Sequence, residues 1–181
     1  MPLMQHVDRV DHQLSRTFNR AVQWTKVRRF FSVISRLGDG PIWYALMVIL
    51  PFHAFLTETA KGFYASGSLM VGGVIGLMVY RGLKQWLARE RPFITYSDIS
   101  CCQQPLDRYS FPSGHTLHAV LFTTIAVAWF PLLAIALVPL TLFIALSRMV
   151  LGLHYPTDVV VGALIGWGLA EYVKMFLPPM L

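Results

Sequence analysis

Three stretches of this 181-residue chain carry side chains suited to chemistry, and the densest is Ser147–Asp158, SRMVLGLHYPTD. It lies where one long apolar segment ends and another begins, yet holds Arg148, His154 and Asp158. Titratable groups at the edge of a membrane span are costly and are usually kept for function. Pro156 suits the first position of a following helix, which puts Asp158 in that helix's first turn and His154 just before it. A carboxylate so placed can hold an imidazole by one nitrogen and leave the other free to attack or to accept a proton. Alone, the stretch equally fits an Arg and a His snorkelling to the interface beside a helix-start carboxylate. Two further stretches decide between these readings.

The first is Arg81–Phe93, RGLKQWLARERPF, where an apolar run gives way to Arg81, Lys84, Arg89 and Arg91 before Pro92 ends or turns the helix. The second is Pro112-Ser113-Gly114-His115, which opens another apolar run. Arg91 and Arg148 each offer a fork matched to two phosphate oxygens, and Lys84 a compact charge. The hydroxyl of Ser113, the bare backbone at Gly114 and the free N–H groups of a helix start all favour an anion. His115 and His154 then supply one imidazole for attack and one for proton delivery. Together these groups point to phosphoryl transfer to water.

The elements that must position them are membrane helices. The chain is 55% hydrophobic and only 13% charged, with mean hydropathy +0.55, against about 25% charged residues in a soluble domain. Apolar runs at about 41–57, 67–83, 112–130, 131–147 and 156–177 predict five spans, with a polar loop at 58–66 and another at 93–111. As one helix, Pro112–Arg148 would reach about 55 Å, nearly twice a ~30 Å hydrocarbon core, so Phe130-Pro131 is the expected hairpin. Gly72/Gly76 and Gly162/Gly166 have the four-residue spacing that lets helices approach closely. Residues 8–37 carry helical apolar stripes (Val10, Leu14, Phe18, Val22; then Val27, Phe30, Phe31, Ile34, Leu37) interleaved with basic residues, and Gly38-Asp39-Gly40 ends them. They read as one or two amphipathic helices on the membrane surface, or as a cap packed on the spans. The fold expected is all-α: a polytopic helix bundle at 41–181 preceded by an interfacial segment at 1–40, with no cleavable signal peptide. This topology puts the three stretches on one face of the membrane.

Lys84–Pro92 reads K-x6-R-P, residues 112–115 read P-S-G-H, and Ser147–Asp158 reads S-R-x5-H-x3-D. In order and in every key position these resemble the three-part signature of the PAP2 (type 2 phosphatidic acid phosphatase) superfamily, over roughly residues 38–176. The resemblance implies that His154 attacks phosphorus to form a phosphohistidine while Asp158 orients it. His115 protonates the leaving oxygen, and Lys84, Arg91, Ser113, Gly114 and Arg148 hold the phosphoryl group. It implies no metal and no other cofactor. Many relatives have six spans, where this chain shows a surface segment and five.

The expectation is a multi-pass lipid phosphatase of a bacterial-type cytoplasmic membrane, whose partners are the bilayer and a phosphorylated lipid. A polyprenyl diphosphate such as undecaprenyl diphosphate is the favoured substrate, with phosphatidate or phosphatidylglycerophosphate as alternatives. The motifs bind phosphate and leave the tail unread. Related soluble haloperoxidases are set aside by the apolar spans, and a non-catalytic lipid-binding or transport protein by the intact His115, His154 and Asp158. Net charge is +6, which suits anionic lipid or a phosphorylated substrate, whereas nucleic acid is a poor partner for so lipid-soluble a chain. His118, one turn beyond His115, reads as a packing or hydrogen-bonded histidine rather than a metal ligand. Arg81, Arg89 and Glu90 read as solvated interfacial charges, and His6, His12 and His53 as unpartnered. The adjacent Cys101 and Cys102 read as free thiols.

Overall fold

The computed structural model describes residues 2–177, with side chains from residue 5 onward, and is helical throughout its regular elements. Eight helices follow in order: α1 Pro2–Asn19, α2 Thr25–Gly38, α3 Pro41–Leu56, α4 Lys61–Leu87, α5 Pro92–Thr95, α6 Gly114–Trp129, α7 Ala134–Val150 and α8 Pro156–Phe176. Proline occupies the first position of α3, α5 and α8, where its missing N–H costs nothing.

Helix α6 is the axis of the bundle, packed against α4, α7 and α8. Its closest partner, α8, approaches because Gly162 and Gly166 lack side chains: a Cβ there would lie 2.7 Å from the Ser113 carbonyl oxygen and 2.3 Å from that of Leu117. Trp43, Leu69, Leu121, Ile125, Trp129, Leu137, Ile144 and Val173 fill the core between these helices. The outward faces of α3 and α4 expose Val48, Ile49, Phe52, Phe55, Met70, Val74 and Met78, an apolar belt suited to lipid.

All five expected apolar segments are helices, and the hairpin at Pro131 is a single 3₁₀ turn, Pro131–Leu133. Three of them are long and apolar enough to cross a membrane, with a fourth span if α2 and α3, bent by 48° at their junction, count as one. Helices α3 and α6 have 16 residues each, about 24 Å at 1.5 Å per residue. The second span differs from expectation at its start: the polar loop at 58–66 shrinks, and α4 begins at Lys61. Ser66, the last residue of that stretch, is absorbed by a helix carbonyl, its Oγ donating to Met47 O at 2.7 Å, as Ser68 Oγ within the expected span does to Tyr64 O at 2.8 Å.

The N-terminal helices pack on the bundle, α2 and α1 against α7 and α1 also against α8. In α1 the buried face is the polar one. Asp11, Ser15 and Asn19 are buried at four-residue spacing, while Val7, Val10 and Leu14 are exposed. Asn19 Nδ2 donates to the carbonyls of Ser100 and Val150, both at 3.0 Å, and its Oδ1 accepts the Ser100 N–H at 2.8 Å. One side chain thus ties α1 to the 96–111 loop and to the end of α7.

Candidate active site

His154 is held first by backbone. The N–H groups of Leu153 and His154 both donate to the Arg148 carbonyl, at 3.0 and 3.1 Å, folding the chain sharply after α7. Gly152 makes this turn possible: its φ is +76°, and a Cβ would lie 2.5 Å from the Ser100 carbonyl oxygen. The imidazole is 1% exposed. Its Nε2 lies 3.3 Å from Arg91 Nη1, and its Nδ1 lies 3.6 Å from Asp158 Oδ2, just beyond hydrogen-bond reach. Asp158 sits in the first turn of α8 as the Pro156 argument required, but both its oxygens are engaged. Oδ2 accepts the Tyr155 N–H at 2.9 Å and Oδ1 accepts Arg89 Nη1 at 2.8 Å. Burial, reinforced by the charges of Arg91, Arg148 and Lys84, holds His154 well below its usual range. The ring is therefore neutral, with a lone pair available.

Lys84, Arg91, Arg148 and His115 all lie within electrostatic reach of His154. Arg91 leaves the start of α5 and donates from Nη1 to Leu153 O and from Nη2 to Asp107 Oδ1, each at 2.8 Å. Lys84 Nζ, from the last turn of α4, donates to the Tyr109 carbonyl at 2.5 Å and to the Asp107 carboxylate. Tyr80 OH donates to the same carboxylate. Burial works against the charge of Asp107, but hydrogen bonds from Lys84 and Tyr80 and the charges of Lys84 and Arg91 outweigh it and hold the carboxyl below its ordinary range. Arg148 is buried at the end of α7 and donates to Ser35 Oγ of α2. Its Nε has no partner.

The Pro112–His115 stretch forms the start of α6. Its position is set by the Ser113 N–H, which donates to the Asp158 carbonyl at 3.0 Å. Gly114 lies against Tyr80, whose ring would be 2.5 Å from a Cβ. The Ser113 hydroxyl is paired with Thr116 Oγ1 at 2.9 Å. His115 contacts Asp39 through Nε2. The site residues expected from the three stretches therefore converge from α4, α5, α6, α7 and the α7–α8 turn.

Arg89 is a correction. It is not a solvated charge: Nη2 reaches Asp11 Oδ2 at 2.8 Å, Nη1 reaches both Thr157 Oγ1 and Asp158 Oδ1 at 2.8 Å, and the guanidinium lies 3.9 Å from the Tyr155 ring centroid. Buried carboxylates on two elements draw it inward, whereas Arg81 and Glu90 are exposed. His12 is also partnered, 3.1 Å from Asp98 Oδ1 and stacked on Tyr96 at 3.8 Å. His118 Nδ1 lies 2.8 Å from the Gly114 carbonyl, a bond within its own helix. Among the described residues no group of three His, Cys, Asp or Glu is gathered that could hold a metal. Cys101 and Cys102 are free thiols.

Asp107, Tyr80, Asp39, Ser35 and Asp11 were not picked out by the motifs. Charge balance offered one signal: Lys84, Arg91 and Arg148 buried together need a counter-anion. Asp107, in the loop between the first two motifs, could supply it.

The chain belongs to the PAP2 superfamily, whose family profile matches residues 61–178. It is 34% identical over 79 residues to the phosphatidylglycerophosphatase B of Haemophilus influenzae, taking in 38% of this chain and 33% of that protein. It is 30% identical over 137 residues to the undecaprenyl-diphosphatase of Sulfolobus acidocaldarius, taking in 74% of this chain and 62% of the relative. The chain thus spans less than two thirds of either curated relative. The crystal structure of the transmembrane PAP2-type phosphatidylglycerolphosphate phosphatase of Bacillus subtilis superposes with a TM-score of 0.75 at 26% identity, covering 94% of this chain and 86% of that one. The protein is a multi-pass helical membrane protein of this family.

Proposed function

We propose that the protein is an integral-membrane lipid phosphatase that hydrolyses a lipid phosphomonoester or diphosphate through a phosphohistidine. The observation that carries this reading is a buried imidazole whose Nε2 lies 3.3 Å from the Arg91 guanidinium, inside a cluster that includes Lys84 and Arg148. The cations hold the phosphoryl oxygens and neutralise charge as it builds on them. Nε2 of His154 attacks phosphorus, the bond to the leaving oxygen breaks, and His115 gives that oxygen a proton. Water then attacks the phosphohistidine, returning a proton to His115 and releasing phosphate and free His154. Asp158, 3.6 Å from Nδ1, acts on the attacking ring through its charge and through the Tyr155 N–H that it fixes beside it. Ser113 and Gly114, at the start of α6, add N–H and hydroxyl donors to the cradle. The cationic side chains supply positive charge without a divalent ion.

A polyprenyl diphosphate is the favoured substrate. The Sulfolobus relative, matched over 74% of this chain, is named for undecaprenyl diphosphate, and this supports that choice. Phosphatidylglycerophosphate is the second reading, favoured by the name of the Bacillus structure and its match over most of both chains. A cytoplasmic membrane of bacterial type is the site of action that goes with either substrate.

The test is phosphate release by the purified protein in detergent from undecaprenyl diphosphate, phosphatidylglycerophosphate and phosphatidate, with an alkaline dodecyl-sulfate quench of radiolabelled substrate to trap a phosphoprotein that is stable in base and lost in acid. Turnover and label are expected for the native chain and neither for His154→Ala. Release from none of the three lipids, or near-normal turnover by His154→Ala, sinks the reading.

A further inference from the structure

We propose that Asp39, from the link between α2 and α3, is the positioning residue of His115: a carboxylate that orients the proton-donating imidazole and balances its charge. The proposal rests on the phosphatase reading above. Asp39 lies outside residues 61–178, the part matched by the family profile, and belongs to the N-terminal segment.

The link is geometrically fixed. Asp39 follows the last residue of α2, and its N–H donates to the Arg36 carbonyl at 3.2 Å. Gly40 takes φ +142°, which a side chain would resist, and a Cβ there would lie 2.6 Å from the Tyr44 ring. Pro41 then starts α3. From this rigid corner the carboxylate reaches Nε2 of His115 in the first turn of α6. The pair is sheltered, with side chains 26% and 11% exposed. Arg148 is the neighbouring cation of both partners. His118, on the same helix, is occupied with the Gly114 carbonyl and does not compete.

The contrast with the other imidazole is informative. Asp158 is 3.6 Å from His154 and spends its oxygens on Tyr155 and Arg89, so the direct carboxylate–imidazole contact in this site is at His115. With Nε2 held by Asp39, Nδ1 is the nitrogen left to face the leaving oxygen. The first step requires His115 protonated on both nitrogens: Nε2–H stays on Asp39 while the Nδ1 proton passes to that oxygen as the P–O bond breaks. In the second a water proton returns to the ring, and Asp39 stays ionised throughout. Ser35, only four residues earlier, binds Arg148, so the end of α2 reaches two site residues at once.

The experiment compares an alkyl lipid phosphate, whose leaving alkoxide needs a proton, with p-nitrophenyl phosphate, whose leaving group does not. Asp39→Asn is expected to lower the rate of phosphohistidine formation from the alkyl substrate by roughly 10²-fold, the lower end of acid–base contributions, with KM and the first-turnover burst of p-nitrophenol from the aryl substrate little changed. In a His115→Ala background it is expected to do nothing further, because the two groups act as a unit. Asp39→Glu keeps the charge but displaces the carboxylate by one methylene. It carries the test where the Asn variant does not fold, and the alkyl-to-aryl ratio is expected to fall part of the way. Equal losses in phosphohistidine formation from both substrates, an unchanged ratio of those first-step rates, or a full additional loss on top of His115→Ala overturns the proposal. A native chain that hydrolyses neither substrate instead overturns the phosphatase reading.

Discussion

Replacing Arg89 with methionine takes one guanidinium from between two buried carboxylates. Asp11 and Asp158 have side chains 2% and 0% exposed, and Arg89 itself is 26% exposed. Asp158 would keep the Tyr155 N–H, and Asp11 would keep Thr157 N–H and Oγ1. Neither would be orphaned, yet both would lose their counter-charge. Breaking a fully buried pair costs about 3–5 kcal/mol, and partial exposure with surviving hydrogen bonds brings the expectation here to about 2–3 kcal/mol. For a chain of this size that is roughly a 4–12 °C fall in the unfolding midpoint, measured by thermal denaturation in detergent. Arg89→Lys should lie between, since one ammonium cannot serve Asp11 and Asp158 with two forks. Adding Asp11→Asn should make the loss from Arg89→Met smaller than in the native background, by about 1 kcal/mol or more, because one of the two stranded charges is gone. A midpoint within a degree of native for Arg89→Met would show that the guanidinium is solvated and adds nothing to the tie that Asp11 makes with Thr157.

Three other outcomes are expected. Asp107 binds Lys84, Arg91 and Tyr80 and so competes with any phosphate for the same donors. Asp107→Asn should tighten inhibition by inorganic phosphate about tenfold, worth ~1.4 kcal/mol, and weaker inhibition would mean that the carboxylate preorganises the cradle instead. Activity should survive excess chelator, and loss on chelation reversed by a divalent ion would bring a metal back into the mechanism. For orientation, Cys101 is exposed, whereas Cys102 is half-buried and burial raises its thiol against the lowering influence of Arg28, so Cys101 is the thiol an impermeant maleimide meets first. We expect labelling in intact cells, with the site outward. On the five-span topology expected from the sequence, thirteen Lys and Arg on the site face against Lys61 and Lys174 opposite argue for the cytoplasm, but seven of them lie in α1, α2 and the turn between them, and protection of reduced thiols until the membrane is opened would vindicate the charge count.

How much of this was legible in the sequence depends on what kind of constraint placed each residue. Lys84, Arg91, Ser113, His115, Arg148, His154 and Asp158 could be read because each sits at a helix end marked by Pro, Gly or a change from apolar to polar. Helix ends on one membrane face must meet at one depth. The start of α4 lies earlier than expected because a polar residue such as Ser66 looks like loop, although inside lipid a serine finds its partner in a neighbouring helix carbonyl. Periodicity detected the apolar stripe of α1 but not its direction. In water Val10 and Leu14 would face the core, whereas here they face outward and Asp11, Ser15 and Asn19 face in. Beside lipid, the bundle's polar end is the only place where α1 can satisfy a carboxylate and an amide. Asp11, Ser35 and Asp39 reach Arg89, Arg148 and His115 across 78, 113 and 76 residues of sequence. No local spacing records such contacts. What the sequence did hold was the charge imbalance that makes them necessary: cations buried at one depth oblige the chain to bring acids to them, and the unassigned acids outside the three motifs, Asp11, Asp39 and Asp107, are where that demand is met.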